Sequence, residues 1–249
     1  MAFYFGEKEG DELMSKINLR DISSRAKQWD NPINGLFKYA DSIKKCGGNI
    51  LKLSKKEREL YCISLVALAM KSVSQVDWWT NIPNHDPPDG LIMTLIEEKP
   101  DNFKGGFREI EVVEHRDKPE KIFGTIRDKM IEKYYEPNTI LVCLVLSPSV
   151  YNFKVLSTEL KKITSSIKHV FVVFAGISLA QGIPTPKCLQ STFTMVQLLP
   201  IFEETTFDLL PHLEDFKNRY NKGQELRLIE ESKIYFGTRN QNFKKISPN

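Results

Sequence analysis

Pro87-Pro88-Asp89-Gly90-Leu-Ile-Met-Thr-Leu-Ile96 opens the stretch that decides how this chain is read. A polar segment with Pro100, Asn102 and Gly105-Gly106 follows, and then Phe107-Arg-Glu109-Ile-Glu111-Val-Val-Glu114-His-Arg116. The two prolines hold the approach extended, because a residue before proline avoids the helical region. Two β-rich apolar runs joined by turn residues predict a β-hairpin. On the second strand Glu109, Glu111 and Val113 share one face, while Ile110, Val112, Glu114 and Arg116 share the other. Glu111 therefore sits among Ile110, Val112 and Val113, where an unpartnered carboxylate is costly. Metal coordination is one way to relieve that cost. The hairpin could bring Asp89 near Glu111, and two carboxylates with waters and a substrate phosphate suit Mg²⁺, with Mn²⁺ as a substitute. An ion held there polarises a phosphate and acidifies a bound water.

The flanks supply a setting for the hairpin. Ser54 and Glu57 stand at capping-box spacing, predicting a helix from Lys55 to about Val73 that is apolar on most of its circumference in its second half. Such a helix packs against a sheet. Pro119 opens a helix over 120–134, whose Ile122, Phe123, Ile126, Met130 and Ile131 recur at helical spacing and whose Lys121, Arg127, Lys129 and Lys133 form a basic side. Residues 139–146 and 169–177 read as buried strands, 156–167 as a helix and 192–199 as a last strand. Helices are expected over 10–28 and 33–45, and Phe3-Tyr-Phe5 as a short strand or docking arm. The expectation is one α/β domain over residues 1–249, with a core at about 50–200. Helical additions flank it: an N-terminal extension at 1–49 and a C-terminal helical region at 203–235.

Composition narrows the function without choosing it. The 249 residues carry a net charge of +3, which permits nucleic-acid binding without demanding it. No apolar run reaches the ~18–20 residues of a membrane span, and Met1 to Leu13 lacks the pattern of a secretory leader. The four cysteines fit neither a zinc spacing nor a disulfide framework. Free thiols and a cytoplasmic location are therefore expected. The chain has no Walker loop, no Gly-x-Gly-x-x-Gly and no Gly-x-Ser-x-Gly elbow.

Pro88-Asp89, an apolar-flanked glutamate on the next strand, then helix, buried strand, helix and buried strand resemble the PD-(D/E)xK nuclease superfamily over residues 55–200. The resemblance implies a restriction-endonuclease-like mixed sheet flanked by helices. It implies metal-dependent hydrolysis of phosphodiester bonds, in DNA more than in RNA, and a homodimer for cutting both strands. Asp89 matches the motif aspartate and Glu111 its second acid. Asp89, Glu111 and the Val112 carbonyl become the metal ligands. The motif lysine should stand at position 113, where this chain has valine. Three substitutes offer themselves: Lys129 on the following helix, with Lys133 one turn on; a Glu109-x-Glu111 register; or Glu114-His115-Arg116 with arginine for lysine. Superfamily members often add a residue from the preceding helix, and Glu59 is better placed for this than Glu57. The alternative is a fold that has lost catalysis and serves as a nucleic-acid or protein binding module, which Val113 favours. His85, His115 and Trp78-Trp79 flank the site; incidental roles are expected for the histidines and packing for the tryptophans.

Overall fold

A computed structural model describes residues 15–16, 19–83, 87–99, 102–132, 135–136, 138–147, 149–174, 192–221, 226–230, 233–237 and 244–245. The chain begins with β1 (Ser15–Lys16), α1 (Leu19–Arg25), β2 (Gln28–Asp30), α2 (Pro32–Lys45), α3 (Lys55–Ser74) and β3 (Trp78–Asn81). It continues through β4 (Gly90–Lys99), β5 (Asn102–His115), α4 (Ile122–Ile131), β6 (Thr139–Val145), α5 (Phe153–Leu160) and β7 (His169–Phe174). It closes with β8 (Thr192–Leu199), β9 (Glu203–Asp208), α6 (Leu210–Asn221), β10 (Leu226–Glu230), β11 (Lys233–Gly237) and β12 (Lys244–Lys245). The class is α/β, built on one mixed sheet in the order β12-β11-β10-β2-β3-β4-β5-β6-β7-β8-β9, with β1 paired to β5. The pairs β5–β6 and β6–β7 are parallel. The other pairs are antiparallel.

Helices cover both faces, which is why the central strands are apolar on both sides. Ile110, Val112, Ile140, Val142 and Leu144 face a core shared with α2, α3 and Phe216 of α6. Leu141, Cys143 and Val145 face α4 and α5, and Val113 packs on that side. Trp78 and Trp79 go to opposite faces and are both buried, so they are packing residues. Cys62 and Cys143 are buried, free thiols.

The sequence reading needs correction at both ends. Among the described residues of 203–235 only Leu210–Asn221 is helical; β9, β10 and β11 take much of the rest. β10 and β11 pair with register Glu230–Lys233, leaving two residues between them, and β10 continues the sheet beyond β2. A partner strand overrides the helical preference of a charged segment. In the N-terminal extension β1 and β2 also join the sheet, and the helix expected over 10–28 is described only at Leu19–Arg25. The arm at Phe3-Tyr-Phe5 lies outside the described residues. The helix expected over 156–167 runs from Phe153 to Leu160, started by Asn152, whose Oδ1 accepts from the Val155 N–H at 3.1 Å.

Helix α3 is the element that positions the hairpin. Ser54 Oγ accepts from the Glu57 N–H at 3.3 Å and Glu57 Oε2 accepts from the Ser54 N–H at 2.7 Å, closing the expected capping box. From Tyr61 to Met70 every side chain is buried. The N-terminal half is tied to β5 by Arg58, itself buried. Its Nε donates to Glu114 Oε1 at 2.5 Å and its Nη2 to Glu114 Oε2 at 3.2 Å, while Nη1 donates to the Leu53 carbonyl. Close approach to β4 requires Gly90: a Cβ there would lie 2.1 Å from Ile63 Cδ1 and 2.6 Å from its Cγ1.

Ile63 is fully buried and has nowhere to retreat. Gly90→Ala should therefore cost about 1–3 kcal/mol in chemical denaturation. Gly124→Ala, in open space on α4, should instead stabilise by about 0.5–1 kcal/mol. Glu114→Gln strands the Arg58 charge in the core and should cost about 3–5 kcal/mol. The apolar double variant Arg58→Met/Glu114→Leu should recover most of that loss. A double variant as unstable as the single one would show that the pair does more than balance charge.

Candidate functional site

The ladder between β4 and β5 ends at the pair Gly90–Ile110. One step further its register sets Asp89 opposite Glu111, and two steps further it sets Pro88 opposite Val112. Pro88 has no N–H to offer. Asp89 Oδ2 takes the place of a strand partner and accepts from the Val112 N–H at 2.7 Å. In an antiparallel ladder a residue's N–H and carbonyl point the same way. The Val112 carbonyl is thus directed to the same gap at the start of β4.

Three acids around this gap are buried: Glu59 at 0%, Glu111 at 3% and Asp89 at 4% exposure. Carboxylates at that depth need cations. On the α3 side Lys55 Nζ spans two of them, 2.9 Å from Glu59 Oε1 and 3.5 Å from Asp89 Oδ1. Lys56 Nζ lies 3.4 Å from Glu59 Oε2. The Lys55–Glu59 pair has i,i+4 helical spacing, and Arg58 between them pins that turn to β5. Burial raises the Glu59 pKa; the Lys55 ammonium opposes this and the neighbouring Asp89 carboxylate adds to it. Hydrogen bonding to Glu59 in turn raises the pKa of Lys55.

Glu111 points to the opposite face, toward α4. There Lys129 Nζ is 3.1 Å from Glu111 Oε2 and 3.4 Å from Glu132 Oε2, with its amine 6.0 Å from the centre of the Tyr135 ring. Burial alone would lower the Lys129 pKa, but the hydrogen bond to Glu111 and its charge outweigh that and raise it. Val113, on the same face of β5 as Glu111, packs among apolar side chains, so the cation on that side comes from the helix.

The other sequence candidates have different work. Glu109 accepts from Arg25 at 2.9 Å. Glu114 is held by Arg58 and by Arg116, whose Nε lies 3.1 Å from Oε2. Burial raises the pKa of Glu114, and the two arginines more than reverse it, leaving it below the usual glutamate range. Glu57 is spent on the helix cap. His115 is buried, its Nδ1 3.1 Å from Thr125 Oγ1 and its Nε2 3.2 Å from the Lys118 carbonyl, which makes it a strand-end support. His85 and Lys133 lie outside the described residues. The sequence reading overlooked Lys55 and Arg58. The i,i+4 offset of Lys55 from Glu59 was the available signal for the first.

Among the described residues no three His, Cys, Asp or Glu side chains group as a metal cage. Adjacent buried carboxylates, Glu59 and Asp89, with a carbonyl beside them fit Mg²⁺, which keeps several waters and takes one or two carboxylates. No helix among the described residues is long and apolar enough to cross a membrane. Comparison with known protein families, with curated proteins and with solved structures finds no match for this chain.

Glu59 binds its proton more tightly folded than unfolded. Its contribution to stability is fully present below the unfolded glutamate value, about 4.3, and is lost as pH rises through the higher folded value. Glu59→Gln should therefore lose less stability than the wild type as pH rises from roughly 4 to 8, and should equal or exceed it at neutral pH. Urea denaturation across that range checks this. Parallel curves for the two proteins would mean that Glu59 is fully balanced by its lysines.

Proposed function

We propose that this protein is a metal-dependent nuclease of the PD-(D/E)xK kind, hydrolysing phosphodiester bonds in DNA rather than RNA. The order α3, β3, β4, β5, α4, β6 supports it: an antiparallel meander after a helix, then a crossover helix to a strand parallel with β5. That is the arrangement a restriction-endonuclease-like core requires. The observation that carries the reading is the Lys129 amine 3.1 Å from the Glu111 carboxylate. The missing lysine at position 113 is replaced in space from α4, on the face where Val113 stands.

Asp89 and the Val112 carbonyl would hold Mg²⁺ with Glu59 beside them, and Glu111, expected from the sequence as a further ligand, faces α4 and would hold Lys129 next to the site. The bound ion supplies Lewis-acid polarisation of the phosphate and a more acidic water. Asp89 is oriented for its part by the Val112 N–H. Lys129 is held by the Glu111 carboxylate, whose hydrogen bond and charge favour its ammonium form. It acts as a fixed positive charge against the phosphate oxygens as negative charge develops. A homodimer would place two such sites on the two strands of a duplex.

A second reading is a binding module that has kept this fold and lost catalysis. The observation favouring it is that each buried acid already has a lysine: Glu59 and Asp89 have Lys55, and Glu111 has Lys129.

Asp89→Asn and Glu111→Gln should each reduce Mg²⁺-dependent DNA cleavage by about 10³-fold or more, the loss that follows from removing ~4 kcal/mol of transition-state stabilisation. Circular dichroism should show both folded. Lys129→Met should slow cleavage while Mn²⁺ binding persists, and Glu109→Gln should leave the rate unchanged. Normal cleavage by both acid variants would refute the site. A wild type that binds DNA but neither binds Mn²⁺ nor cleaves the DNA would establish the binding module.

A further inference from the structure

Among the described residues Lys55 is the one cation that touches both Glu59 and Asp89, and its placement is unlike theirs. The acids are buried, whereas the Lys55 side chain is 60% exposed. Its amine reaches them from solvent across the first turn of α3, 2.9 Å from one and 3.5 Å from the other. A lysine ammonium is a compact point charge on a flexible stem, able to leave without disturbing the core. The backbone that carries it is fixed by the Ser54–Glu57 cap and by the Arg58–Glu114 clamp, so only the side chain need move.

We propose that Lys55 is a built-in competitor for the metal: its ammonium occupies the Glu59–Asp89 pair in the resting protein and must swing out for a divalent cation to enter. This rests on the reading of the site as a metal centre. The physical case is charge and space. Two carboxylates this close and this buried repel unless a cation lies between them, and one amine fills the position that an ion would take. Lys56 approaches Glu59 alone, at 3.4 Å, and does not bridge the pair. Lys55 thus sets the concentration of metal at which the site loads. A protein with an exchangeable internal cation keeps its acid pair balanced when metal is scarce, and a buried pair is not left uncompensated.

The test is calorimetric titration of the full chain with Mn²⁺ alone. Wild type should bind weakly and Lys55→Gln more tightly by about tenfold, the factor expected if the amine occupies the pair nine-tenths of the time. Lys55→Met, which keeps the stem without the charge, should behave like Lys55→Gln. Lys52→Gln removes the same charge from an exposed neighbouring position and should bind as wild type does. Equal affinity in wild type and both Lys55 variants, with binding abolished by Asp89→Asn, would overturn the competitor role and leave the metal centre standing. A gain of the same size in Lys52→Gln would reduce the effect to net charge and also overturn it. No Mn²⁺ binding by any protein, the Lys55 variants included, would remove the metal centre and this inference together.

Discussion

The ion pair between buried Arg58 and half-buried Glu114 is the constraint on which the rest depends. It joins residues 56 positions apart, one on α3 and one on β5, and Arg58 is deep enough that its charge cannot be left alone. A buried ion pair adds little net stability compared with apolar packing. What it does is specify: α3 can lie on the sheet with Arg58 over Glu114 in one way. That registration puts the next residue, Glu59, against Asp89, and the preceding turn, with Lys55, over both. Gly90 allows the same approach from the strand side, since Ile63 fills the space that a Cβ would need.

The site is a consequence of where a ladder stops. Strand β5 runs on past the start of β4, still paired with β6 as far as His115. The edge left behind at Val112 is answered by a side chain, Asp89, instead of a strand. Glu59 arrives at this gap from the α3 layer, and Glu111 faces the α4 layer. Every acid there is matched by a lysine from a helix. Buried acids set against ammonium groups are expensive to fold.

Much of this was legible beforehand where local pattern and tertiary role coincide. The capping box at Ser54 and Glu57, the apolar helix over Tyr61–Met70 and the alternation along Glu109–Val113 each follow from spacing alone, and each is where spacing puts it. The C-terminal region was not legible in this way. Leu226–Glu230 and Lys233–Gly237 carry charged residues that are at home in a helix, and they become strands because β2 and each other supply hydrogen-bond partners. Their conformation belongs to the sheet edge and is absent from their own composition.

The same division runs through the site. The sequence by itself determined that an acid would lie among apolar neighbours at position 111, that Asp89 would enter the paired strand after two prolines, and that no lysine would stand at 113. Periodicity and proline geometry are local, so the chain carries them openly. Only the tertiary structure decided which cation answers which acid. Lys129 reaches Glu111 because α4 crosses back over β5, and Lys55 bridges Glu59 and Asp89 because Arg58 holds α3 in register. Such pairings depend on distances between segments far apart in the chain, and those distances exist only once the helices have packed.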